Sequence, residues 1–200
     1  MEQDDTQTLD ALLAAVRACT RCARDLPCAP RPVVRAASTA RLLIVGQAPG
    51  LRVHETGIPW NDPSGDRLRA WMAVDKDTFY DETRIAIIPA GFCYPGRNNR
   101  GGDRPPRQEC APIWHMPLVR RLPAVALILL AGRYAQRIHL GDRIPPTLTE
   151  TVRAWRSYGP RYFPMPHPSF RNTLWLRRNP WFENEALPAL RRRIRKVLSS

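Results

Sequence analysis

The chain has no apolar run near the roughly 20 residues of a membrane span; its longest, Val125 to Ala131, is strand-sized. No membrane association is expected. The opening MEQDDTQTLD lacks the basic and then apolar pattern of a secretory signal, which predicts a cytoplasmic location. There is no internal repeat and no flexible linker, so residues 1–200 are expected to form one domain, and a monomer. Negative charge is scarce. Only 18 Asp and Glu stand against 31 Lys and Arg, giving +13 and a pI near 10.7. Such a surplus favours a polyanionic partner, because each basic group on a phosphate releases counterions. An arginine-rich, merely solvated surface is the alternative.

Helical and strand patterns alternate along the chain, which predicts an α/β fold with helices on both faces of a mostly parallel sheet. Asp5 or Thr6 caps a first helix carrying Leu9, Leu12, Leu13 and Val16 and ending near Cys19. Four strands are expected, at Arg41–Val45, Ile85–Ile88, Ala124–Leu130 and Arg161–Phe163. A loop runs from the first strand to Pro63, where a helix with Leu68, Trp71 and Met72 begins; another loop covers Tyr94–Pro106. A proline-interrupted helical stretch covers Arg107 to Leu122, and helices follow at Tyr134-Ala135 and Leu148–Trp155. The last helix starts near Pro180, and its run Arg191, Arg192, Arg193, Arg195 and Lys196 reads as a solvated face.

Two strings sit just after strands: GQAPG at Gly46–Gly50 and PHPSF at Pro166–Phe170. In an open α/β sheet, the crevice at the carboxyl ends of the strands is where ligands bind. A glycine turn and a Pro-flanked histidine would face one pocket there. With the positive charge, this points to chemistry on a nucleic acid.

Five cysteines in a cytoplasmic chain read as metal ligands or reactive groups rather than disulfides. Cys19 and Cys22 form a Cys-x-x-Cys pair, and Cys93 and Cys110 flank the long loop. Together they could hold a structural zinc or an iron–sulfur cluster, and spacing alone does not separate the two. Buried free thiols, or a redox pair at Cys19 and Cys22, are the other readings.

Taken in order, these motifs resemble the uracil-DNA glycosylase superfamily, nearest its iron–sulfur (family 4-like) branch. Collinear with that branch are Cys-x-x-Cys after the first helix, GQAPG for a GEAPG-type turn, and Pro59-Trp60 for its Pro-Phe. So are GFCYPGRNNRGGDRPPRQEC, ILLAGRYA and the final His167-Pro168-Ser169. The resemblance implies a single three-layer α/β/α domain and a structural [4Fe-4S] cluster on Cys19, Cys22, Cys93 and Cys110, with Cys28 left over. It implies a DNA glycosylase acting in base excision repair on DNA that contains a deaminated base, removing uracil to leave an abasic site.

Such an enzyme flips its target base into a pocket. Trp60 would stack on that base, unless it is simply a core residue. Gly46, Ala48, Ala90 and Gly91 would contribute backbone around the base, and Gln47 would place water. His167, held extended by Pro168, would donate to the oxyanion that develops on the leaving base. Ser169, through its side chain and N–H, would grip a phosphate. In the loop Phe170–Pro180, Arg171 stands at the position that in relatives fills the gap left by the flipped base; Asn172, Arg177 and Arg178 follow it. Arg97, Arg100 and Arg104 are further phosphate candidates.

The chain departs from the pattern at three places. Gln47 replaces an acid, and Ala48 stands where another branch has its water-activating aspartate. Pro89 occupies the position of the asparagine that reads uracil. Base reading then falls to backbone near Ala90–Gly91, with His54 as a further polar group, or the base differs. A glycosylase for hypoxanthine or xanthine, and a lesion- or abasic-site-binding protein without turnover, are therefore the alternative expectations.

Overall fold

The structure is a computed structural model and describes residues 7–99 and 101–199. Its centre is a four-stranded, all-parallel sheet of β1 (Leu42–Val45), β2 (Ile85–Ile87), β3 (Leu127–Ala131) and β4 (Tyr162–Met165), in the order β2-β1-β3-β4. Leu42 pairs with Ile85 on one side of β1 and with Leu127 on the other; Ile128 pairs with Tyr162. The strands are almost wholly buried, as parallel strands covered on both faces must be.

Successive strand residues face opposite sides, so the sheet divides the core in two. Leu42, Ile44, Ile87, Leu129 and Phe163 join one half, with Leu68 and Met72 of α3 (Pro63–Met72) and Leu190 and Ile194 of α9 (Leu187–Leu198). Leu43, Val45, Ile128 and Leu130 join the other. There they meet Leu13 of α1 (Leu9–Arg17), Leu118 of α5 (Met116–Arg120) and Ala135 of α6 (Arg133–Leu140). This is the three-layer α/β/α arrangement expected. No helix is long and apolar enough to cross a membrane among the described residues.

The chain differs locally from the sequence reading. Thr8 caps α1 by accepting from Ala11 N–H at 3.2 Å; Asp5 and Thr6 lie outside the described residues. The segment read as a loop to Pro63 contains α2 (Leu51–Thr56), whose terminal carbonyls at His54 and Glu55 accept from Arg31 Nη1 at 2.8 and 2.6 Å. A short α4 (Lys76–Tyr80) precedes β2, and α7 (Leu148–Arg153) precedes β4. The segment read as the loop Phe170–Pro180 is instead mostly helical, a 3-10 turn at Phe170–Asn172 leading into α8 (Thr173–Arg178).

The basic run of α9 is not uniformly solvated. Arg191 donates to the carbonyls of Ala70 and Trp71 at 3.1 Å each, capping the end of α3. Arg193 lies 5.2 Å over the Trp155 ring, and burial pulls its pKa down. Two of the five cations therefore serve packing.

Candidate functional site

The order β2-β1-β3-β4 places consecutive connections on opposite sides of β1, so a crevice opens at the carboxyl ends of β1 and β3. A cavity of about 620 Å3 lies there. Gly46 to Val53 after β1, Pro89 after β2 and His167 to Asn172 after β4 contribute to its wall, apart from Pro168. Pro59 to Ser64, apart from Asn61, and Arg97, Asn98 and Asp103 of the cysteine loop add to it. Of the expected site, Gly46, Gln47, Ala48, Trp60, His167, Ser169, Arg171 and Asn172 are all brought together.

Trp60 is held in an uncommon backbone conformation. Its φ of +56° lies in the left-handed region, which side chains adopt only under constraint. Arg69 supplies part of that constraint. Its Nη1 donates to the Trp60 carbonyl and to the Tyr80 hydroxyl at 3.3 Å each, and its Nη2 pairs with Asp66 at 2.5 Å. The indole then lies over Gly46, where a Cβ would come within 2.7 Å of Cζ2. The His167 ring is 5.4 Å away, centroid to centroid, tilted by 30°. Trp60 also packs against one half of the core, so the packing and pocket readings both describe it.

His167 is fixed from three directions. Asn172 Nδ2 donates to its carbonyl at 2.7 Å. The Ser169 N–H donates to its Nδ1 at 3.2 Å. Gly132, with φ +87°, lets β3 end against it: a Cβ there would lie 3.3 Å from His167 Cβ. Because Nδ1 accepts, the proton of a neutral ring resides on Nε2. Burial lowers the pKa to about 4, so the ring is neutral at pH 7. The product is a neutral imidazole with its Nε2–H available as a donor.

This geometry corrects the expectation for Ser169. Its N–H is committed to His167 rather than to a phosphate, and its hydroxyl oxygen accepts from Arg171 N at 3.3 Å. Ala90 and Gly91 do not line the cavity. Their N–H groups donate to the carbonyls of Gly46 and Gln47 at 2.9 Å each, bracing the GQAPG turn instead of meeting a base. Gln47 Nε2 donates to Arg104 O at 3.2 Å, which leaves its Oε1 for water.

Pro89 does line the cavity, and its carbonyl accepts from His115 Nδ1 at 3.0 Å. That carbonyl can only accept, so His115 Nε2 must in turn accept from His139 Nε2 at 2.8 Å. Burial drives the pKa of both rings down, which keeps the relay neutral. His54 sits on α2 with its ring 6.0 Å from Tyr94, outside the cavity lining.

Arg171 Nη2 bonds the Gly101 carbonyl at 2.7 Å, tying the histidine loop to the cysteine loop. The side chain that protrudes is its neighbour Phe170, 70% exposed, with Leu174 next to it at 56%. Arg177 and Arg178 are exposed on α8, away from the cavity lining. Arg104 turns its Nε onto the Arg97 carbonyl at 3.1 Å. Arg100 lies outside the described residues. Sequence reasoning missed Asp62, Asn98, Asp103 and Phe170, and only the last carried a signal, an aromatic directly after the His-Pro-Ser string.

Cys19, Cys22, Cys93 and Cys110 are drawn into one neighbourhood. Desolvation, with charge on Cys110, Cys19 and Cys22 adding to it, pushes the Cys93 thiol up to about 11. Desolvation likewise raises Cys110, with Cys22 and Cys19 adding to it. Backbone N–H groups of Arg31 and Phe92 donate to Cys93 and Cys110 and oppose these rises in part. Cys28 takes no part in these interactions, and all five cysteines are free. Among the described residues, no three His, Cys, Asp or Glu side chains converge tightly enough to hold a single metal ion.

A sequence model of the Uracil DNA glycosylase superfamily matches residues 34–191 of this chain. The match begins beyond Cys19 and Cys22 and spans the whole sheet and every cavity-lining residue except Val33.

Proposed function

Because the chain belongs to the uracil DNA glycosylase superfamily, we propose that it hydrolyses the N-glycosidic bond of a deaminated base in DNA, uracil first, and leaves an abasic site. The observation that carries this reading is the proton of His167. Breaking the bond places negative charge on the departing pyrimidine. A fixed, neutral Nε2–H donor meets that charge in the transition state more strongly than in the ground state. The Ser169 N–H sets the tautomer and burial keeps the ring uncharged, so no reorganisation is needed as the charge develops.

The flipped base stacks against Trp60, a contact worth about 1–3 kcal/mol. Gln47 Oε1, with no hydrogen bond among the described residues, would hold water beside it. Phe170 is the side chain best placed to fill the gap in the base stack, since Arg171 is held by Gly101. Exposed Arg177, Arg178 and Arg192 would track phosphates, consistent with the net charge of +13. A monomer working in the cytoplasm suits this role.

Cys19, Cys22, Cys93 and Cys110 would hold a [4Fe-4S] cluster. Cys93 and Cys110 both lie near Cys19 and Cys22, and a backbone donor at each of the first two suits a bound thiolate. A structural zinc on the same four thiols is the alternative. When bound, the cluster would cross-link the N-terminal segment to the cysteine loop, which also carries Asn98 and Asp103 of the cavity wall.

Pro89 supports a second reading, in which the preferred base is hypoxanthine or xanthine. It lacks a side-chain donor, and its carbonyl is already held by His115. The test is single-turnover excision from duplexes carrying one uracil, hypoxanthine or xanthine, with hot alkali to reveal abasic sites. Wild-type cleavage that His167→Ala abolishes, with DNA affinity kept, is the expected result. Equal rates in both proteins would refute the role of His167. Tight lesion binding without any excision would establish a non-catalytic binder instead.

A further inference from the structure

The expected pocket lacks a group to activate water, since Ala48 stands at the relevant turn position. We propose that Asp103, on the cysteine loop, is the carboxylate that orients and deprotonates the attacking water. The inference rests on the glycosylase reading above.

Two carboxylates line the cavity, Asp62 and Asp103. Asp62 is committed, capping α3 by accepting from Gly65 N–H at 2.8 Å. Asp103 has no side-chain hydrogen bond among the described residues, although it stands between two pocket motifs. Its backbone is placed from both sides. On one side, Gly101 O accepts from Arg171 of the histidine loop at 2.7 Å. On the other, Arg104 O accepts from Gln47 of the GQAPG turn at 3.2 Å. Asp103 itself pairs with Arg97 across a tight turn closed by Asn98 N–H on Gly102 O at 2.7 Å.

The side chain therefore reaches over the turn after β1: its Oδ2 lies 3.8 Å from where a Cβ on Gly50 would be. It approaches from another loop the same turn that carries Ala48. Desolvation raises its pKa, Asp62 adds to this, and Arg97 and Arg171 oppose it. A carboxylate so placed is a better base than a fully hydrated one.

In the reaction, water oxygen bonds to C1′ of the sugar as Asp103 accepts one of its protons. The C1′–N bond breaks with its electron pair leaving on the base, whose anion is met by His167 Nε2–H. The proton on Asp103 returns to solvent, and the base anion takes one up on release. Before water attacks, the same carboxylate stabilises the cationic sugar.

That last role supplies a test independent of turnover. Affinities are measured for two duplexes, one with a cationic pyrrolidine in place of the sugar and one with neutral tetrahydrofuran, for wild type and Asp103→Asn. Wild type should prefer the cation by about tenfold or more, and Asp103→Asn should lose most of that preference while holding the tetrahydrofuran duplex equally well. Single-turnover excision should fall by about 10²- to 10³-fold, with the melting temperature unchanged. A cation preference retained in Asp103→Asn, or excision at the wild-type rate, overturns the proposal. If wild type excises no base at all, the glycosylase reading fails by itself, and the ratio of the two affinities still decides whether Asp103 faces the sugar.

Discussion

Replacing Gly132 by alanine tests how tightly the fold holds His167. Gly132 leads from β3 into α6 with φ +87° and ψ 171°, a region nearly exclusive to glycine, so any side chain there costs about 1–3 kcal/mol. For a domain of this size that lowers Tm by roughly 3–10 °C. A second effect is local. The new Cβ would lie 3.3 Å from His167 Cβ, inside ordinary carbon contact distance, and the Gly132 N–H on Met165 O at 3.0 Å prevents the strands from separating freely. His167 must then shift by a few tenths of an ångström. Since about 1 Å of misplacement can cost roughly 10²-fold in rate, a three- to tenfold loss of excision is expected. Gly141→Ala is the control, because Gly141 also has a positive φ, +54°, but nothing lies within 4 Å of a Cβ there. Single-turnover excision and thermal melting of both variants separate backbone strain from displacement of the histidine. If Gly132→Ala excises as fast as Gly141→Ala, the packing argument for His167 is wrong.

Acid should destabilise the protein early. Burial lowers the pKa of His115, His139 and His167 below the ordinary 6.5, so the unfolded chain binds more protons below that pH. The contribution of these histidines is full above pH 6.5 and falls with pH towards about 4, or about 3 for His139, by about 1.4 kcal/mol per pH unit for each; equal urea midpoints at pH 7 and pH 5 would contradict this. Phe170→Ala should weaken binding to a duplex abasic analogue and slow excision from duplex more than from single strands, whereas equal slowing on both would remove it from the base stack. Cys19→Ser and Cys110→Ser should each lower iron content and the visible absorbance of anaerobically purified protein. Cys28→Ser should change neither, and a comparable loss of iron from Cys28→Ser would overturn the ligand assignment.

Much of the fold was legible because its signals are local. Runs such as Leu42–Val45 and Leu127–Ala131 are apolar enough to be buried on both faces, and glycine and proline mark their ends. The helix of Leu51–Thr56 was not legible: it buries Val53 alone, and Arg31, far away in sequence, caps its terminal carbonyls. Arg191 and Arg193 looked like neighbours in a solvated run, because nothing local announces that Ala70, Trp71 and Trp155 lie beneath them.

The sequence by itself determined the alternation of strands and helices, the two pocket motifs at strand ends and the basic surplus, all properties of residue type and spacing. Tertiary structure decided where hydrogen bonds go. It turned the Ser169 N–H onto His167, committed the amides of Ala90 and Gly91 to the GQAPG turn, and left the Asp103 carboxylate, between two motifs, with no hydrogen bond among the described residues. A backbone donor or a loop carboxylate has the same local signature whatever it faces. Its partner is chosen only when segments distant along the chain are packed against one sheet, since burial makes each unpaired polar group costly and so selects the arrangement that pairs the most.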